Sequence, residues 1–174
     1  MSAKCLSQLF VLILFVLLNS KLINCETNDQ NIVSVKLKNT LINGRIETSV
    51  DEKQLYVFRG IPYAEPPVGQ LRFKKPLPLK SWPKTIEASD WPNPCYQNLG
   101  KSIMKLQNKT LSEDCLYLNV WSPIGSLSGD TLKPVIFYIH GGALLWGSAA
   151  DPGDVITTKG DVVFVNIQYR YYYS

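Results

Sequence analysis

The 174-residue chain holds one histidine, His140, and four cysteines. It has no internal repeat, no heptad pattern and no low-complexity tract. Charge is sparse as well, at 18% of residues against 45% hydrophobic, the balance of a folded domain and not of a disordered tail. The formal net charge is +4, and leaving out Lys4 and Lys21 the part from Glu26 onward carries 16 basic against 14 acidic side chains. So mild an excess, scattered along the chain, excludes a nucleic-acid partner.

A long apolar run is missing too. The longest is Leu9 to Leu18, ten residues preceded by Lys4 and followed by the small and polar "NSKLINC". A bilayer span needs roughly 20 apolar residues, whereas the core of a secretory signal peptide needs roughly 7 to 15. Residues 1–25 are therefore expected to be a leader, cleaved after Cys25 or after Ser20, and a retained anchor is the competing reading. The expected localisation is secreted, by the secretory pathway, with no membrane span beyond the signal peptide. Cys5 leaves with the leader, and so does Cys25 if cleavage follows it. Cys95 and Cys115 then remain, an even number in an oxidising compartment. Joined, they close a loop of about 20 residues, worth on the order of 3 kcal/mol; two free thiols are the alternative. Asn108-Lys109-Thr110, inside that loop, is an N-glycosylation acceptor triplet that requires a solvent-facing loop if used.

What is present reads mostly as strand. Val33, Val35 and Leu37 alternate with polar residues, Asn43-Gly44 is a strong hairpin signal, and "RIETSV" follows as the partner strand. With a further strand over Gln54 to Phe58, an antiparallel meander is expected. Eight prolines between Pro62 and Pro94 exclude a long helix or central strand there, so this segment should wrap as ordered coil. In "LYLNVWS" Leu116, Leu118 and Val120 share one face. "VIFYI" and "VVFVNI" are nearly continuous apolar runs, as in strands covered on both faces of an α/β sheet. Between them "DPGDVITTKG" offers a start and a stop for a short helix or turn. No amphipathic helix of useful length accompanies these strands, so the chain is expected to leave its core incomplete.

Four stretches together carry a resemblance: "FRGIPYAEPPVGQLRF", "SEDCLYLNVWSP", "YIHGGALLWGS" and "DVVFVNIQYR". From about Val33 to Arg170 the chain resembles the N-terminal part of a type B carboxylesterase, of the carboxylesterase/cholinesterase family of α/β-hydrolases. The fold this implies is the N-terminal part of an α/β-hydrolase, in a partial domain over residues 26–174 truncated before the nucleophile elbow. Acyl transfer builds negative charge on a carbonyl oxygen, and preorganised backbone N–H donors stabilise it by about 3–4 kcal/mol each. By resemblance, Gly142 and Ala143 are those donors, and Gly141 permits the turn. Alanine keeps its N–H but resists positive φ, so the donor should survive only at negative φ.

The resemblance further implies a Cys95–Cys115 disulfide and an ion pair between Arg72 and Glu113, with two independent surface charges as the alternative. His140 invites a general-base reading, which is rejected: in this family the base follows the nucleophile. The G-x-S-x-G elbow is absent, since "GSLSG" (Gly125 to Gly129) has Leu127 at its centre in a turn-rich stretch. No catalytic residue is therefore assigned, no cofactor or metal is implied, and the chain alone is expected to be inactive. The partners implied for the full-length enzyme are carboxylic-ester small molecules. The choline-binding tryptophan of cholinesterases is missing from the 96–114 loop, with Trp91 just outside, which favours a general carboxylesterase. A triad-less, neuroligin-like adhesion or binding member is the alternative. The continuation Tyr171 to Ser174 departs from the usual small residue and glycine after "YR", as a frame shift or partial gene model would.

Overall fold

In the computed structural model the described residues are 31–97, 110–129, 131–143 and 145–170. The leader, Cys5, Cys25, Asn108 and Tyr171 to Ser174 lie outside them. Seven strands form one sheet: β1 (Ile32–Leu37), β2 (Thr40–Thr48), β3 (Gln54–Pro62), β4 (Thr85–Glu87), β5 (Tyr117–Pro123), β6 (Val135–Ile139) and β7 (Val163–Ile167). Their order is β1-β2-β3-β5-β7-β6, with β4 set off this path against β2. The pairs from β1 to β7 along this path are antiparallel, and β6 runs parallel to β7. A parallel pair needs a crossover, and the crossover here carries the short helix α1 (Asp154–Gly160). Asp154 accepts from the Ser49 hydroxyl at 3.1 Å and Thr158 donates to the Asp51 carboxylate at 3.0 Å, which ties α1 to the turn between β2 and β3.

The hairpin signal at Asn43-Gly44 is corrected by this arrangement. Both residues lie inside β2, opposite Ser34 and Val33 of β1, and the chain reverses at Lys38-Asn39, where Lys38 takes φ 54°. Gly44 serves close approach and not turning: a Cβ there would fall 2.4 Å from the Phe58 ring and 2.5 Å from the Val57 carbonyl oxygen. Asn43 is held in the sheet by its side chain, which accepts from Ser34 Oγ and donates to Glu87 Oε1, each at 2.8 Å.

Apolar residues cover both faces of the central strands. One face gathers Val33, Ile42, Phe58, Ile61, Leu118, Val165 and Ile167, and on the other Leu55, Val57, Trp121 and Phe164 pack with Trp91. Trp121 is wholly buried, with its ring centroid 5.7 Å from that of Trp91 and 5.8 Å from that of Phe164. Arg59 lies over Trp91 at 4.6 Å and pairs bidentately with Glu47, so its planar guanidinium closes that layer. The proline-rich stretch is coil as expected, apart from β4 and the single 3₁₀ turn Gly69–Leu71. The expectation of two-sided burial holds for β7 and fails for β6. Among the described residues β6 is the outermost strand, and its Ile136, Tyr138 and Ile139 stay 37%, 38% and 49% exposed because no described element packs over them.

Gly44→Ala should destabilise the fold by about 1–3 kcal/mol through overpacking. Urea unfolding of this variant, of Phe58→Leu and of the double variant checks the cause. If Phe58 is the obstacle, the double variant recovers part of the loss; a turn role for Gly44 would leave the two costs additive.

Candidate active-site loop

The bulge in β3 begins the site. Its register slips between Phe58 and Ile61, and Gly60 there takes φ 78°. The Gly60 N–H freed by the slip donates to the Asn119 side-chain oxygen at 2.9 Å. Asn119 is wholly buried, and its amide nitrogen donates to the Ala149 carbonyl at 3.1 Å and to Asn166 Oδ1 at 2.8 Å. Asn166 donates in turn to the Asp151 carbonyl at 2.9 Å, and Gln168 accepts from the Ala149 N–H at 3.0 Å. Three buried amides on β5, β7 and the residue after β7 thus hold residues 149–151 against the sheet. A buried amide without partners costs about 1–3 kcal/mol, so these contacts hold the segment after the glycine loop firmly.

The loop itself leaves the end of β6. His140 is buried, its Nδ1 donating to the Gly141 carbonyl at 2.9 Å, and its ring stacks on Tyr169 with centroids 4.3 Å apart. The Tyr169 hydroxyl donates to the His140 carbonyl at 2.5 Å. His140 therefore anchors the loop. Burial lowers its pKa from the ordinary imidazole value, more than the neighbouring Gly141 carbonyl and Asp151 raise it, and the imidazole is neutral near pH 7.

The turn follows at Gly142 and Ala143, with φ 129° and 53°. The role expected of Gly141 is corrected here, and the condition set for Ala143 is not met. Gly141 does not carry the turn: its φ lies outside the left-handed range, and a Cβ on it would meet nothing within 4 Å. Ala143 sits on the positive-φ side, the side on which its donor was expected to be compromised; the N–H is kept there at about 1–2 kcal/mol of strain. Gly142 is obligatory, because a Cβ there would lie 1.6 Å from the Trp146 carbonyl oxygen. The Gly142 carbonyl accepts from the Leu145 and Trp146 N–H groups at 2.9 and 3.1 Å, curling the chain back. Among the described residues, neither the Gly142 nor the Ala143 N–H has an acceptor. The pair forms the tip of a loop anchored on both sides.

The other residues singled out in the sequence fall into place around this loop. Cys95 and Cys115 are disulfide-bonded and both wholly buried. The Arg72 Nε donates to Glu113 Oε1, joining the proline-rich wrap to the chain just before Cys115. "GSLSG" is a surface 3₁₀ turn, Ser126–Ser128, between two left-handed glycines. Trp91 belongs to the core. Sequence reasoning missed Asn119, Asn166, Gln168 and Gln97. A polar amide in the middle of "LYLNVWS" and "VVFVNIQ" is the signal that could have found the first two, since a buried amide must find partners. Among the described residues no group of three His, Cys, Asp or Glu could hold a metal ion, and no helix is long and apolar enough to cross a membrane.

A mixed sheet with the parallel pair β6 and β7 at one edge and a glycine loop leaving the outer of these strands is the partial, incomplete fold of an α/β-hydrolase. The family model of the carboxylesterase family matches residues 29–171. The chain belongs to that family. It is 42% identical over 127 residues to carboxylesterase 3B of Mus musculus, covering 68% of this chain and 22% of that protein. It is also 42% identical over 123 residues to cholinesterase of Mus musculus, covering 65% and 20%. With venom carboxylesterase-6 of Apis mellifera it shares 32% over 156 residues, covering 90% and 28%. The chain thus spans about a fifth to a little over a quarter of these relatives' length. Identity alone does not separate carboxylesterase from cholinesterase.

Two outcomes follow for this loop. Ala143→Gly should stabilise the chain by about 1 kcal/mol by relieving the left-handed strain, raising the urea midpoint, whereas Ala143→Val should lower it. His140 has a folded pKa below its unfolded value of about 6.5, so the unfolded chain binds the proton first as pH falls. Stability should therefore be full above that value and decline as pH drops from it through the folded pKa. His140→Gln should flatten this slope in urea titrations between pH 5 and 7, and an unchanged slope would refute the assignment to the only histidine.

Proposed function

We propose that the chain is the N-terminal portion of a secreted serine carboxylesterase and supplies its oxyanion hole. The observation that carries the reading is the pair of N–H groups at Gly142 and Ala143, which have no acceptor among the described residues, on a turn anchored on both sides. A substrate carbonyl oxygen gaining charge under nucleophilic attack would accept from both groups. The donors need no reorganisation at that moment, which is where such catalysis gains its energy. The magnitudes favour this use of the strain at Ala143: the left-handed alanine costs about 1–2 kcal/mol. One oxyanion donor returns about 3–4 kcal/mol in the transition state. No serine, acid or base of a triad is assigned within the chain, so alone it binds an oxyanion without attacking a carbonyl and is inactive.

Residues 1–25 are proposed as a leader, with the rest a partial carboxylesterase domain. A buried disulfide fits an oxidising compartment, and Asn108 is the proposed glycan acceptor. Lack of a tryptophan in residues 96–114 points to small carboxylic esters and not choline esters. A triad-less binding protein is the competing outcome.

The test is a chimera in which residues 29–171 replace the matching segment of mouse carboxylesterase 3B. The chimera should hydrolyse p-nitrophenyl acetate, and Gly142→Asp in it should abolish turnover. The chain alone should show none. A folded, inactive chimera would refute the oxyanion reading and leave the binding-protein alternative; turnover by the chain alone would refute its inactivity.

A further inference from the structure

The far end of the glycine loop is held by a residue that none of the family motifs above contains. Gly147 cannot hold itself: a Cβ there would lie 2.4 Å from His140 Nδ1, so the position admits no side chain. Its φ of 132° is also one that side chains disfavour. Both of its backbone polar groups are taken by the same side chain. Gln97 Oε1 accepts from the Gly147 N–H at 2.8 Å, and Gln97 Nε2 donates to the Gly147 carbonyl at 3.0 Å. One side-chain amide thereby stands in for the neighbouring residue of an antiparallel ladder, exchanging both hydrogen bonds with one residue.

The other end of that side chain is fixed as well. Gln97 Nε2 also donates to the Cys95 carbonyl at 3.1 Å, folding the side chain back on its own backbone. Cys95 is wholly buried, bridged to Ser112 and covalently joined to Cys115, two residues before β5 begins. The path from the sheet to the loop therefore runs through β5, the disulfide, two residues of backbone and one amide.

We propose that Gln97 is a positioning residue: it couples the Cys95–Cys115 disulfide to Gly147 and so sets where the Gly142 and Ala143 N–H groups point. The role in catalysis rests on the oxyanion reading above; the clamp itself does not. Loss of the side chain leaves Gly147 without either partner, and the loop is then held at His140 on one side and only beyond Gly147, at residues 149–151, on the other. Donors whose value lies in being aimed beforehand lose most of it when one anchor goes.

The experiment is amide hydrogen exchange, read by NMR on the secreted chain. In Gln97→Leu the Gly147 N–H should exchange at least about tenfold faster, and the Gly142 and Ala143 resonances should shift, while Val165 and Ile167 keep their protection. Gln97→Glu keeps an acceptor for the Gly147 N–H but turns a carboxylate oxygen toward the Gly147 and Cys95 carbonyls, so its Gly147 exchange should fall between those of the native chain and Gln97→Leu. The double variant Cys95→Ser with Cys115→Ser should loosen Gly147 like Gln97→Leu. Unchanged exchange at Gly147, or equal acceleration at Val165 and Ile167, overturns the clamp. In the chimera, Gln97→Leu should lower kcat at least about tenfold with KM changed less than about threefold. An active chimera indifferent to Gln97→Leu overturns the catalytic role. Freed Gly147 exchange beside an inactive chimera refutes the oxyanion reading alone.

Discussion

The rest of this structure depends on the buried amide of Asn119. It sits at the centre of the sheet, in contact with a bulge on one neighbour and an asparagine on the other. Without it the Gly60 N–H, the Ala149 carbonyl and the Asn166 side chain would each lose a partner in a region that excludes water. Each such loss costs about 1–3 kcal/mol, comparable to a large buried side chain. The requirement to satisfy all of these groups at once selects one register for β3 on β5. It also brings the chain after Gly147 back against β7, and the glycine loop has to close over that point.

Closure makes the loop a balance between strain and restraint. Gly142, Ala143 and Gly147 all hold positive φ, and one of them is an alanine that prefers otherwise. Such a conformation persists only when its surroundings over-determine it. His140 against Tyr169 supplies one restraint, the Gln97 amide another, and the amides under residues 149–151 a third. The only histidine in the chain is thus buried, stacked on Tyr169 and held against the Gly141 carbonyl.

The two edges of the sheet differ in kind. At the β1 end the edge strand alternates polar Ser34 and Lys36 with apolar Val33, Val35 and Leu37, and β4 lies on the side of β2 away from β1. At the β6 end, among the described residues, an apolar strand is flanked on one side only, and the loop that carries the candidate donors starts from it. The most chemically loaded part of the chain therefore projects from the least covered strand. An exposed apolar edge of this kind is a pairing and aggregation site in any sheet protein.

Much of this was legible in the sequence, because local rules decide it. Alternating apolar residues mark β1 to β3 and β5, prolines forbid regular structure between β3 and β5, and the long motifs identify the family. Other features depended on partners distant in sequence. Gly44 reads as a turn and is a strand residue, because the ring of Phe58 claims the space a Cβ would need. "VIFYI" reads as a two-sided strand and is an edge, because coverage depends on which strands lie beside it. The glycine motif was readable as chemistry, but its geometry was not: Gly142 and Ala143 make the turn, and Gly141 leaves open space. The sequence by itself determined which residue types stand at the loop and which backbone angles they tolerate, since those follow from side-chain size. Only the tertiary structure decided that a glutamine 50 positions away from Gly147 would hold that loop, because a hydrogen bond is set by distance in space and not along the chain.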